Sequence, residues 1–112
     1  MQARDATFIL DILESAKIAL GYVAGLSWDD FYESQRDQDA VIRRIEIIGE
    51  AAQRVSSETQ TEYPKIPWRE MTSMRNLVIH EYDIVDLGQV WDTVRENLPS
   101  LIEELSKIIP PA

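Results

Sequence analysis

The chain of 112 residues has no cysteine and a single histidine, His80. Disulfides and cysteine-bound zinc are excluded, and one copy alone cannot assemble a nitrogen- or sulfur-rich metal site. Basic residues are also scarce, with 11 Lys and Arg against 20 Asp and Glu and a formal net charge of −9. That balance argues against a generic nucleic-acid coat, whose affinity rests on many cationic contacts with phosphate. A small site using one or two arginines is not excluded. No apolar run approaches the roughly 20 residues that span a bilayer. The opening stretch "MQARDATFIL" carries charges and no signal-type cleavage region, so a cytoplasmic protein is the expectation. Strand alternation, Asn-Gly hairpins and internal repeats are all missing.

Hydrophobic residues make up 45% of the chain, enough for a real core. The length fits one domain over residues 1–112. A domain this small leaves much surface exposed, and self-association would help its stability.

Helical periodicity dominates. Ile9, Ile12, Leu13, Ala16, Leu20 and Val23 recur at the spacing of one helix face, predicting a helix from about Arg4 to Tyr22, with Gly21 and Gly25 at its exit. Ser27 and Asp30 have the spacing to cap a short helix holding Trp28 and Phe31. From about Asp37 to Ser56, the residues Val41, Ile45, Ile48, Ala52 and Val55 form a seam. Ile42, Ile47 and Ala51 widen it, so this helix is central or shared with a second subunit. Gly49 within it would let another backbone come close. "SSETQTEYPKIPW" reads as the clearest break, with Pro67 suited to the first turn of the next helix, Trp68 to Tyr82. Asp86 and Gln89 have capping-box spacing for the last helix. Its inner stripe is Leu87, Val90, Trp91, Val94, Leu98, Leu101, Ile102, Leu105 and Ile109, and Pro99 should kink it. The expected fold is an all-α, up-and-down bundle of four long helices and one short one.

The chemistry-bearing residues cluster in "RNLVIHEYD", Arg75 to Asp83. On an ideal helix, His80 points about 140° away from Arg75, so the two cannot converge on one small group within one chain. Tyr82 lies within about 20° of Arg75's direction. Either the helix unwinds near His80, or the site is built by two chains about a two-fold axis, each residue opposite its twin. Metal-free RNA cleavage needs one group to take the 2′-hydroxyl proton and another to protonate the leaving oxygen. Imidazole suits both tasks, and an arginine fork suits the charged phosphoryl oxygens. The bland alternative stays open: a hydrogen-bonded helical His80, an Arg75 paired with a carboxylate, a Tyr82 ring in the core, and a plain surface Asn76.

"MRNLVIHEYD" resembles the R-x4-H-x-Y motif of HEPN-domain ribonuclease toxins, specifically the HepT-like group paired with MNT nucleotidyltransferase antitoxins. "DDFYES", "AVIRRIEIIGEAAQRVS", "YPKIPWREMTSMRN" and "VWDTVRENLPSLIEEL" are similar to that family in the same order. Ser73 departs from it, standing where a glycine is expected. The resemblance implies an all-α homodimer or higher homo-oligomer with a composite cleft. It implies the toxin half of a HEPN–MNT (type VII) toxin–antitoxin pair and a metal-independent endoribonuclease without cofactor. Arg75 and His80 would be catalytic and Asn76 supporting. The partner nucleotidyltransferase would silence the protein by transferring AMP to Tyr82. DNA and membranes are not expected as partners. The competing expectation is a non-catalytic helical dimer that binds nucleotide or RNA and docks the nucleotidyltransferase.

Overall fold

The computed structural model describes residues 1–78 and 85–109. Every element among them is helical: α1 (Ala3–Val23), α2 (Trp28–Glu33), α3 (Gln35–Arg54), α4 (Ser57–Glu62), α5 (Trp68–Val78), α6 (Leu87–Asp92) and α7 (Leu98–Ile108). A π-helical turn, Thr93–Asn97, joins α6 to α7 without leaving helical geometry. The all-α class is therefore observed. The spatial order is α7, α1, α3, α5, with α3 packed against both α1 and α5.

The helices form where their caps and apolar stripes dictate. Ser27 and Asp30 make the full capping box of α2, each side chain accepting from the other's backbone N–H. The Asp86 carboxylate accepts from the Gln89 N–H and starts α6. Gly25, at φ 81°, reverses the chain after α1, a conformation that costs any other residue about 1–2 kcal/mol. All five seam residues are buried, Val41 to Ala52 on α3 and Val55 just past its end. They meet Ile9, Ile12, Leu13, Ala16 and Val23 from α1 and the buried Met71 and Met74 from α5. α3 is thus the central helix. Gln38, buried on its first turns, donates to the carbonyls of Phe31 and Tyr32 and ties the end of α2 to it.

Pro99 acts as expected and in a specific way. It has no N–H for the Arg95 carbonyl, and its ring crowds that carbonyl. The ladder widens into the π turn immediately before it. The stripe continues through this irregularity: Val90, Val94, Leu98, Leu101 and Leu105 are all buried.

Two expectations change. The "SSETQTE" stretch contains a helix of its own, α4, so there are two short helices among the described residues rather than one. Ser56 caps it by accepting from the Thr59 N–H. Pro67 stands just before α5 instead of in its first turn, its carbonyl accepting from the Met71 N–H.

The start of α4 rests on a residue that no apolar pattern marks. Asp5, in the first turn of α1, is 2% exposed. Its carboxylate accepts from the Ser56 hydroxyl at 2.6 Å, the Ser56 N–H at 3.1 Å and the Thr59 hydroxyl at 2.7 Å. The Ser56 and Thr59 hydroxyls hold the Asp5 carboxyl below its ordinary value, outweighing its desolvation. One aspartate thereby clamps the start of α1 to the α3–α4 junction.

Candidate functional site

Arg75 sits on α5 beside the buried Met74, at the edge of the face that α5 turns to α3. The two helices approach closely at Gly49. A Cβ there would lie 2.8 Å from the Arg75 Cβ, 2.9 Å from its backbone nitrogen and 3.2 Å from its Cα. Only glycine accommodates that separation, as the sequence suggested for this position. Gly49 therefore sets where the Arg75 backbone stands.

The side chain is half-buried. Its Nη1 donates to the Gln53 amide oxygen at 3.3 Å. Gln53 lies four residues after Gly49, on the same face of α3. The Arg75 Nε is buried and has no hydrogen-bond partner among the described residues. No carboxylate among those residues forms an ion pair with the guanidinium. The carboxylate pairing that would have made Arg75 a purely structural residue is therefore not found within the described part of the chain.

Asn76 is exposed and turned another way. It lines an open groove of about 760 Å³ between the Pro64–Trp68 connection and the outer face of α5, with Lys65, Arg69 and Ser73. Arg75 is not part of that lining. Neighbours in sequence thus serve different surfaces: Arg75 the α3–α5 seam, Asn76 the groove. His80 and Tyr82 lie outside the described residues, as does the continuation of this helix to Tyr82, and so does their geometry relative to Arg75. Among the described residues, no three His, Cys, Asp or Glu side chains are grouped to share a metal ion. No helix among them is long and apolar enough to cross a membrane.

The sequence points to Arg75 and Asn76 as candidates and to a close approach at Gly49, and the structure shows that approach. Sequence reasoning missed Gln53, although the Gly49-to-Gln53 spacing placed both on one helix face. It also missed the Lys65–Arg69 groove, because "YPKIPWRE" reads as a turn followed by a solvated first helical turn.

Known proteins resemble the chain over most of its length. The family model described as "HepT-like: Ribonuclease HepT-like" matches residues 12–108. "Putative RNase MJ1380" of Methanocaldococcus jannaschii is 35% identical over 106 residues, covering 94% of this chain and 97% of that protein. "Probable ribonuclease HepT" of Thermococcus cleftensis is 36% identical over 108 residues, 96% of this chain and 98% of that protein. "Gamma-glutamylcyclotransferase and putative RNase MJ0434", also of M. jannaschii, is 44% identical over 102 residues. These are 91% of this chain but 46% of that protein, so the chain spans about half of its length. No solved structure matches significantly. With the family model covering nearly the whole helical array, Gly49 and Arg75 included, the chain belongs to the HepT-like ribonuclease family.

Proposed function

We propose that the protein is an endoribonuclease that cuts cellular RNA without a metal ion, at a site completed by a second copy of the chain. The observation that carries this reading is the placement of Arg75. It is fixed at the backbone by Gly49 and held at one nitrogen by Gln53, and its Nε lacks a partner among the described residues. A fork held in one place, with donor capacity left over, fits a developing phosphoryl charge. The relatives' names, which include RNase and ribonuclease HepT, support the same chemistry.

In the proposed reaction, one imidazole takes the proton from a 2′-hydroxyl. That oxygen attacks the adjacent phosphorus, the bond to the 5′-oxygen breaks, and a second imidazole protonates the departing oxygen. The chain has one histidine, His80, so the two imidazoles come from two copies. The products are a 2′,3′-cyclic phosphate and a 5′-hydroxyl. Arg75 stabilises the non-bridging oxygens, and Asn76 holds the strand nearby.

The protein works in the cytoplasm as one domain over residues 1–112. Its partner is an MNT-type nucleotidyltransferase antitoxin that transfers AMP from ATP to the Tyr82 hydroxyl, releasing pyrophosphate. Seven residues after Arg75, Tyr82 lies within about 20° of it on a regular helix. The adduct's phosphate would then compete for the arginine with the RNA phosphate.

The test compares cleavage of total cellular RNA by the wild type and His80→Ala, each in EDTA. The wild type is expected to cut and leave cyclic phosphate ends, and the variant to be inert. Equal cutting by both removes His80 from the mechanism. Cutting that EDTA abolishes removes the metal-free step. A wild type that binds RNA or the nucleotidyltransferase and never cuts points to a non-catalytic docking dimer.

A further inference from the structure

The groove beside Asn76 has a composition unlike the rest of the surface. The chain carries a net charge of −9, yet between Pro64 and Val78 stand Lys65, Arg69 and Arg75 against the single acid Glu70. Lys65, Arg69 and Asn76 all line the groove, and all three are exposed. Glu70 lines it too but forms no ion pair with either cation, and neither cation pairs with any other carboxylate among the described residues.

The groove is also held in shape. The loop that carries Lys65 is fastened by three bonds: the Ile66 N–H and the Trp68 indole N–H both reach the Tyr63 carbonyl, and the Trp68 N–H reaches the Ile66 carbonyl. On α5, Arg69, Ser73 and Asn76 fall on one face by their spacing of four and three, spanning roughly 10 Å. The Ser73 hydroxyl donates to the Arg69 carbonyl, so the donors the groove offers are those of Lys65, Arg69 and Asn76. Trp68, the one aromatic ring in the lining, is 8% exposed and its N–H is engaged, so it offers no face on which a base could stack. Such a surface suits phosphodiester oxygens and does not read bases.

We propose that this groove is the entry track for single-stranded RNA, with Lys65 and Arg69 holding successive backbone phosphates and the Asn76 amide contacting the strand at the groove's α5 side. The proposal rests on the ribonuclease reading for its destination, but the track itself is a binding site whatever happens at Arg75. It offers so acidic a chain one place to draw a polyanion: two exposed cations, neither paired with a carboxylate among the described residues, line the same groove. It also makes recognition at this point sequence-tolerant, because the groove offers charge and amide donors without a stacking platform.

The experiment uses the whole protein and a short fluorescent 2′-O-methyl oligouridine, which binds but cannot be cut through 2′-hydroxyl attack. Affinity is measured from low to moderate salt for the wild type, Lys65→Gln, Arg69→Gln and the double variant. Each cation that contacts a phosphate contributes about 0.7 to the slope of log affinity against log salt. The double variant is therefore expected to lose about 1.4 from that slope and to bind roughly tenfold more weakly at low salt. In parallel cleavage assays with unmodified RNA, KM should rise while kcat is preserved. Both positions are exposed, and unchanged thermal melting checks that the variants fold. An unchanged slope and affinity in the double variant overturns the track, even if the wild type cuts RNA. A wild type that binds with the expected slope but never cuts leaves the track standing and removes the catalytic reading. A wild type that does not bind the oligonucleotide overturns both.

Discussion

Gly49 of α3 and Arg75 of α5 are packed so closely that a methyl group on the first would stand 2.8 Å from the Cβ of the second. The neighbouring atoms are backbone and Cβ of a helix, which cannot swing away as a flexible side-chain tip could. Alanine is favoured over glycine within a helix by about 1 kcal/mol, but overpacking against a rigid neighbour costs about 1–3 kcal/mol. Gly49→Ala is therefore expected to lower the melting temperature by a few degrees, against its propensity. It is expected to lower RNA cleavage more steeply, since a shift near 1 Å at a catalytic group costs on the order of a hundredfold. An alanine variant that melts at or above the wild type would contradict the packing of these two helices.

The other glycines of the N-terminal half give opposite expectations and serve as controls. A Cβ at Gly21, inside α1, meets nothing within 4 Å. Gly21→Ala should stabilise by about 0.5–1 kcal/mol through backbone entropy. Gly25 also has open space, but its φ is 81°. Gly25→Ala should destabilise by about 1–2 kcal/mol from conformation alone. Urea denaturation of the two variants separates room from backbone geometry. Equal effects would remove the distinction.

Much of this architecture is legible in the residues because it rests on periodicity and caps. The α3 seam, the Ser27–Asp30 box and the Pro99 irregularity each follow from a local rule. Even the α3–α5 contact is signalled by a glycine inside an amphipathic helix. α4 is not legible, because Ser57–Glu62 is polar throughout and has no stripe. It is held by Ser56 and, through Thr59, by Asp5 more than fifty residues earlier. An aspartate in a helix's first turn reads as a solvated charge favoured by the dipole, and nothing local reveals that its partners are distant hydroxyls. Of the candidate site, the seat of Arg75 against Gly49 is legible. The proposed pairing of His80 with a twin would belong to an assembly, which one chain's periodicity does not specify.

The Asp5 clamp makes stability depend on pH in a defined direction. Its carboxyl is held below the ordinary aspartate value of 3.8. A depressed folded value means the stabilisation is fully present above the unfolded value and is lost as pH falls through the folded one. Asp5→Ala removes the acceptor and strands buried donors, at a cost of about 1–3 kcal/mol near neutrality. The melting gap between wild type and variant should be constant from neutral pH down to about 5 and close progressively below about 4. A gap that persists undiminished into strong acid would show that packing, not the charged clamp, is what the substitution removes.

In the proposed mechanism Arg75 sets function against stability within one side chain. Its Nε is buried without a hydrogen-bond partner among the described residues, and such a donor costs about 1–3 kcal/mol. Lysine at this position keeps the positive charge and puts a methylene where that nitrogen lies. It also gives up the planar fork that matches phosphate. Arg75→Lys is therefore expected to be as stable as the wild type or more so by up to about 1 kcal/mol, while cleavage falls by on the order of a hundredfold. Arg75→Ala, by contrast, also removes the aliphatic stem from the α3–α5 seam and should lose both properties. Urea denaturation and initial cleavage rates on the same preparations decide the matter. A lysine variant that cuts RNA at the wild-type rate would reduce the role of Arg75 to bare charge, and one that is markedly destabilised would mean that Nε has a partner in the folded protein.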